Sequence, residues 1–364
     1  MRSREATSEP RVGAPPPQDR AAATRVLARW RVIRITLRVL AIAALVLLLR
    51  SVVIPQFVDA GHDLHAIRAL SPWPLLLALA LELASLAAYG ALTWTVLDPR
   101  DRPGYGTVVR VDLAGVGTTN VVPAGGALAL AVRYRLLART GSSPSTIVGG
   151  IAVEVILSNL LLGAVFALGL LLSLASLPPS PYYQVAGVFM VVIFGGAAIA
   201  LAVAVRRRAR VLSAVGSATR RLPEEWRDRI VTFVDDTVGN VAVLALDRRR
   251  FGAAIFWGAI NWLLDAAALW VLLAAFGDLA DPGQLLLVYG LVGILALVPI
   301  TPGGLGVVEG VMVPLLVALG STYQIAILGV IAWRLLQFWM PMPLGAISAL
   351  SLLARPEWPR RSTR

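Results

Sequence analysis

The chain has 364 residues, of which 57% are hydrophobic and only 15% charged, with a mean hydropathy of +0.76 and a formal net charge of +12. A composition this apolar reads as a membrane protein. All 33 basic residues are arginine, there is no cysteine, and the only histidines are His62 and His65. Without lysine there is no Walker A loop and no Schiff base to pyridoxal phosphate. Without cysteine, and with two histidines three residues apart, there is no disulfide framework, zinc finger or HExxH protease. No cofactor and no metal site are expected.

Residues 1–33 are rich in Pro, Ala and Arg without apolar periodicity, and are read as a disordered cytoplasmic tail. They are not read as a cleavable signal peptide, because no A-x-A site follows the apolar run. Residues 34–205 form a first membrane half with expected spans at Thr36–Phe57, Trp73–Leu97, Ile147–Leu177 and Val185–Val205. Between the first two, Val58, Leu64, Ile67 and Leu70 recur near helical spacing, which suits a short interfacial helix or an ordinary loop. Residues 206–250 turn charged and form a cytoplasmic linker. Within it Ile230, Val234, Val238, Val241 and Leu244 recur at steps of three and four, the pattern of an amphipathic helix lying on the inner leaflet or acting as an elbow between halves. Its arginines suit anionic lipid, and with no stacking-aromatic pattern no nucleic acid is expected. Residues 251–353 are a second membrane half with spans at Phe251–Phe276 and Tyr323–Leu353, followed by a tail at 354–364.

Two apolar stretches, 108–137 and 285–319, are broken by proline and glycine. Pro123-Ala124-Gly125-Gly126 interrupts the first and Pro299-Ile300-Thr301-Pro302-Gly303-Gly304 the second. The pieces on either side are shorter than the ~20 residues a helix needs to cross ~30 Å of hydrocarbon. Unwound backbone at that depth survives only inside protein or beside a polar cavity, so a cavity near the midplane is expected. If both stretches return to the side they enter from, 29 of 33 arginines fall on the side of the termini, the cytoplasmic side. The expected fold is thus all-α and polytopic, with about six full spans and two re-entrant hairpins in inverted repeats. Glu154 lies 28 residues beyond Gly126 and Arg334 lies 30 beyond Gly304, each on the long span that follows its hairpin.

The ionisable residues within expected spans are Glu82, Asp112, Glu154, Asp265, Glu309 and Arg334. Such residues face a cavity, pair or titrate. Glu154 and Arg334 are the leading candidates for a pair, functional or purely structural. Glu309 sits one turn into the half-helix after the second tip, as a cap or as a head-group or proton site. Asp265 and Glu82 lie mid-span with less context, and Asp112 is placed shallow enough for hydration. Asn159, Asn261 and Gln337 read as interhelical hydrogen-bond partners.

The run PITPGGLGVVEG at Pro299–Gly310, with NVVPAGG at Asn120–Gly126, Glu154 and Arg334, resembles the lysylphosphatidylglycerol synthase transmembrane-region family. The likeness covers roughly 34–353. It implies two inverted halves with re-entrant hairpins, associated with moving aminoacylated phosphatidylglycerol between leaflets of the bacterial plasma membrane. It also implies that Pro302, Gly303, Gly304 and Glu309 are site residues of the second tip, and Asn120, Pro123, Gly125, Gly126 and Arg133 of the first. The chain departs from the family pattern at Ala127–Ala131, which is wholly apolar after the first glycine pair. Full-length synthases add a soluble aminoacyl-transferase domain; with eleven residues after the last span, that chemistry is expected to be absent here.

Three function classes follow: a lipid flippase or scramblase, a membrane-embedded transferase on a lipid-linked substrate, and a non-transporting accessory subunit of a cell-envelope enzyme. The first is favoured. In that reading Arg334 and the half-helix N-terminus at Gly303 and Gly304 take the lipid phosphate, while Glu154 and Glu309 balance charge or carry a proton. Expected partners are a phospholipid or polyprenyl-linked lipid, with a second copy of the chain or an envelope enzyme as a further possibility.

Overall fold

The computed structural model describes residues 72–122, 125–174, 181–220, 222–298 and 301–354, with 181–191 described by backbone alone. The tail to residue 33, the expected span Thr36–Phe57, both histidines, Pro123, Pro299 and Ile300 lie outside the described residues. Every element among the described residues is helical.

Helix starts follow local capping chemistry. Ser143 and Asp281 each precede a proline, and their side chains accept from the backbone N–H of Thr146 and Gln284 at 3.4 and 2.9 Å. These bonds satisfy N–H groups that a first turn leaves without partners, while proline, having none, fits there unopposed. Thr322 and Asp247 cap two further helices in the same way. In chain order the helices are α1 (Pro72–Val96), α2 (Tyr105–Val121), α3 (Gly125–Arg139), α4 (Pro144–Ser173), α5 (Pro181–Arg206), α6 (Arg208–Ala218), α7 (Glu224–Leu246), α8 (Arg248–Ala275), α9 (Pro282–Ala296), α10 (Val307–Ala318), α11 (Tyr323–Arg334) and α12 (Pro341–Leu353).

Among the described residues four helices are long and apolar enough to cross a bilayer: α1, α4, α8 and the continuous run Tyr323–Leu353 made by α11 and α12. The expected span Val185–Val205 lies within α5. Both apolar stretches are broken where the prolines and glycines stand. The first becomes α2 and α3, of 17 and 15 residues; the second becomes α9, a 3-10 turn at Pro302–Gly304, and α10, with helices of 15 and 12 residues. At ~1.5 Å per residue none of these spans a ~30 Å hydrocarbon core alone. Gly303, Gly304 and Gly306 all take positive φ at the second break, a conformation that costs other residues heavily.

Packing between the N-terminal and C-terminal helices is reciprocal. Helix α1 lies along α8, where Asn261 donates to the Ser85 carbonyl and hydroxyl at 3.1 and 2.8 Å, and the Ser85 hydroxyl donates to the Asn261 carbonyl at 3.0 Å. Helix α2 packs on α12, and α9 packs on α4. In both of the latter pairs glycine lets backbones touch. A Cβ on Gly345 would lie 2.4 Å from the Leu113 carbonyl oxygen, and one on Gly169 would lie 2.3 Å from the Leu287 nitrogen. Each broken stretch is therefore held by the long span that follows the other one.

The charged linker is α6 and α7. The stripe expected at Ile230–Leu244 is realised as the packed face of α7, with Val238 and Leu244 buried and Leu244 set against Leu92, Val96, Val153 and Ala254. Trp226, Phe233, Val243 and Leu246 on the same helix remain exposed.

Candidate functional site

A cavity of about 450 Å³ with charged side chains among its walls opens where α1, α2, α3, α4 and α8 converge. Its walls carry four carboxyl side chains, Glu82, Asp112, Glu154 and Asp265, against one cation among the described residues, Arg133. Glu82 is the eleventh residue of 25 in α1, and Glu154 the eleventh of 30 in α4, so the charges sit well inside helices rather than at their ends. Each such charge costs about 2.5–3.5 kcal/mol to place at a helix centre, so the cluster persists only if its members relieve one another.

Arg133 does most of that. Its Nη2 lies 2.8 Å from Asp112 Oδ1 and its Nη1 lies 2.8 Å from Glu154 Oε2. The same two nitrogens donate to the Thr93 and Tyr89 hydroxyls at 3.3 and 3.4 Å, while Nε is buried without a hydrogen-bond partner. Its aliphatic stem crosses Gly115, where a Cβ would come within 2.7 Å of Arg133 Cδ. A planar guanidinium is suited to this, because its fork can serve two carboxylates at once.

The second cluster stands at the second break. Arg334 Nε contacts Glu309 Oε1 at 2.6 Å, Nη1 donates to Gln337 Oε1 at 3.0 Å, and Nη2 donates to the Gly303 carbonyl at 3.0 Å. The other Glu309 oxygen accepts from the Gly306 N–H at 2.7 Å. The guanidinium carbon lies 4.4 Å from the centre of the Phe338 ring. Arg334 thus clamps the tip to the span behind it.

The two breaks meet. Asn120, at the end of α2, donates to the Phe338 carbonyl at 2.9 Å, and a Cβ built on Gly303 would strike Phe338 Cε2 at 2.2 Å and Asn120 Oδ1 at 3.1 Å. Phe338 lies in a π-helical turn, Leu335–Trp339, directly after Arg334 and before Pro341. Turns of this kind recur inside helices at functional sites.

A third cluster is centred on Asp265. Its two oxygens accept from the Tyr289 hydroxyl at 2.7 Å and the Trp333 indole N–H at 2.6 Å. Glu82 comes against it from α1.

Three sequence expectations need correction. Glu154 pairs with Arg133 and Arg334 with Glu309, so the expected Glu154–Arg334 pair does not form. Asp112 is not hydrated at a shallow depth but is 2% exposed and paired with Arg133. The N-terminus of α10 is no open phosphate seat, because Glu309 already supplies the negative charge and the acceptor that its first turn favours. Glu309 is therefore a cap and a counter-ion together. Of the candidate residues, Asn120, Gly126, Arg133, Glu154 and Asp265 line the cavity. Gly125 stands beside Gly126 with its Cα hydrogen toward the Thr118 carbonyl, where a Cβ would lie 2.9 Å away, and Pro302, Gly303, Gly304, Glu309 and Arg334 form the clamp. Sequence reasoning missed Tyr89 and Thr93, which carry no span-level signal.

A helical, multi-pass membrane protein with a charged internal cavity is the class these features define. The chain belongs to the lysylphosphatidylglycerol synthase TM region family, whose sequence model matches residues 32–345. It is also similar to UPF0104 membrane proteins of two archaea. One from Methanothermobacter thermautotrophicus is 25% identical over 123 residues, 34% of this chain and 35% of that one. One from Pyrococcus horikoshii is 30% identical over 107 residues, 29% of this chain and 32% of that one. The chain spans about a third of the length of these curated relatives.

Proposed function

We propose that the chain is a lipid transporter, a flippase or scramblase, that passes the head group of a phospholipid or polyprenyl-linked lipid through the cavity while acyl chains stay in hydrocarbon. The observation that carries this reading is that a cavity with charged side chains in its walls and an apolar groove share lining residues. Beside the charged cavity lies an apolar groove of about 460 Å³ between α3, α4 and α7. Leu130 and Val155 belong to both, and the groove is otherwise lined by residues such as Tyr134, Ile151, Ile156 and Phe233. A space with charged side chains in its walls joined to an apolar one fits an amphipathic molecule with a charged head and a long tail, and fits a water-soluble substrate poorly.

Arg133 is the residue assigned to the lipid phosphate. It is the cation of the cavity among the described residues, and its Nε retains a donor that nothing else takes. Arg334 is assigned to holding the second tip. The reciprocal packing of α1 on α8, α2 on α12 and α9 on α4 supports two related halves, as does an ion pair in each. With re-entrant hairpins these halves are inverted repeats, the arrangement in which transporters place sites between broken helices. The termini are assigned to the cytoplasmic face of a bacterial plasma membrane by the arginine bias. Reconstitution into liposomes tests the reading: head-group-labelled phosphatidylglycerol crosses with the wild-type chain and not with Arg133→Gln. Correctly inserted wild-type protein that moves no lipid would rule it out.

A further inference from the structure

Both carboxylates first suspected of proton binding are held by guanidinium groups, Glu154 by Arg133 and Glu309 by Arg334. Glu82 is not. It is 2% exposed, it lines the cavity, and its Oε2 is buried with no hydrogen-bond partner. Beside it on α8, one turn from the Ser85–Asn261 hydrogen bonds that join the two helices, stands Asp265, another carboxyl of the cavity wall. Asp265 has both oxygens occupied by the Tyr289 and Trp333 donors from α9 and α11, which hold it in the form of an acceptor.

We propose that Glu82 and Asp265 form a proton-binding site of the cavity, and that its occupancy changes as the lipid head group passes. The inference rests on the transport reading above. Two ionised carboxylates in contact at this depth repel and lack water to screen them. One proton taken up from the bulk solution forms an O–H bond on Glu82, which then donates to Asp265, and the repulsion becomes a hydrogen bond. The surrounding charges do not supply an alternative. Asp112 on α2 and Glu154 on α4 share Arg133, and Arg334 on α11, the cation that feels Asp265, is bound to Glu309, Gln337 and the Gly303 carbonyl. A metal ion fits less well, since no three His, Asp, Glu or Cys side chains converge among the described residues. Four carboxyls facing one guanidinium also mean that a phosphate entering at Arg133 must displace negative charge, and a proton on the Glu82–Asp265 pair lowers that barrier.

The full chain in liposomes provides the test. Infrared difference spectra between acidic and alkaline buffer are expected to show a protonated-carboxyl C=O band that moves in deuterium oxide, persists in Glu154→Gln and is lost in Glu82→Gln. Asp265→Asn is expected to shift the same band; Glu82→Gln is the deciding variant, because it removes no other hydrogen bond. At zero membrane potential, one pH unit across the bilayer is expected to distribute the labelled lipid about tenfold between leaflets if one proton accompanies each lipid, the ratio that one pKa unit represents. Whatever lipid movement Glu82→Gln retains is expected to lack that bias. A band unchanged in Glu82→Gln, one that follows sodium concentration and not pH, or a lipid distribution indifferent to the gradient would overturn the proposal. Wild type that moves no lipid at all would instead defeat the transport reading, and the infrared band would still decide the proton site.

Discussion

Arg133 of α3 holds Glu154 of α4 at 2.8 Å, and Arg334 of α11 holds Glu309 of α10 at 2.6 Å, the same pairing with the charges exchanged. In each half one partner stands just after a broken tip and the other on the long span that follows, 21 residues away in the first half and 25 in the second. The exchange divides the labour. The first pair shares its arginine with Asp112 and faces the cavity, whereas the second is spent on the tip.

Removing the first arginine should be the most damaging single change. Arg133→Gln leaves Asp112 and Glu154 buried without a counter-ion, and breaking such a pair from one side costs about 3–5 kcal/mol. Thermal unfolding in detergent should show a large fall for Arg133→Gln and a smaller one for Glu154→Gln, which leaves Asp112 in place. The triple variant Asp112→Asn, Arg133→Met, Glu154→Gln should recover much of the stability and none of the lipid movement. Recovery of movement would remove Arg133 from the phosphate role.

Arg334→Gln should separate stability from binding. It releases Glu309 and the Gly303 carbonyl together, at a similar cost of about 3–5 kcal/mol, and loosens the contact between Gly303, Phe338 and Asn120. Native mass spectrometry on the folded fraction should find bound phospholipid retained in Arg334→Gln and depleted in Arg133→Gln. Equal depletion would put both arginines on the lipid.

Glycines at the two tips should respond unequally to the same substitution. Gly303 has φ 51° and no room for a Cβ, so Gly303→Ala should lower the unfolding temperature, with about 1–2 kcal/mol from the left-handed backbone alone and more from the clash with Phe338. A Cβ on Gly126 meets nothing within 4 Å, so Gly126→Ala should be close to neutral. A neutral Gly303→Ala would mean that the tip adopts a different path.

Much of the architecture was legible because it follows from local rules. Long apolar runs became α1, α4, α8 and Tyr323–Leu353, and the prolines and glycines marked both breaks within a residue or two. The stripe at Ile230–Leu244 announced the packed face of α7. The pairing of charges was not legible. Counting from each glycine pair to the next ionisable span residue aligned Glu154 with Arg334, but equal spacing from a glycine pair does not bring two residues together. What decides contact is the helix that follows each break, which brings Arg133 to Glu154 and Glu309 to Arg334. The groove beside the cavity was equally hidden, since its walls come from α3, α4 and α7 and its mostly apolar residues carry no signal one at a time.

That groove offers a variant that leaves every charge untouched. Ala152 lines it, and Ala152→Trp should fill it without reaching Arg133. Lipid movement should fall at least tenfold in liposomes while the unfolding temperature changes little. Unimpaired movement would mean that the acyl chain travels elsewhere.

The central claim is that one lipid lies with its head in the charged cavity and its chain in the adjoining groove. Photolabelling with two probes addresses this, one phospholipid carrying its reactive group at the head and the other near the end of an acyl chain. The head probe should mark residues around Gly126–Arg133 and Tyr89, the chain probe should mark Val148–Ile156 and Phe233, and excess unlabelled phospholipid should suppress both. Chain labelling confined to the outer faces of the spans, or head labelling that excess lipid does not compete away, would contradict it.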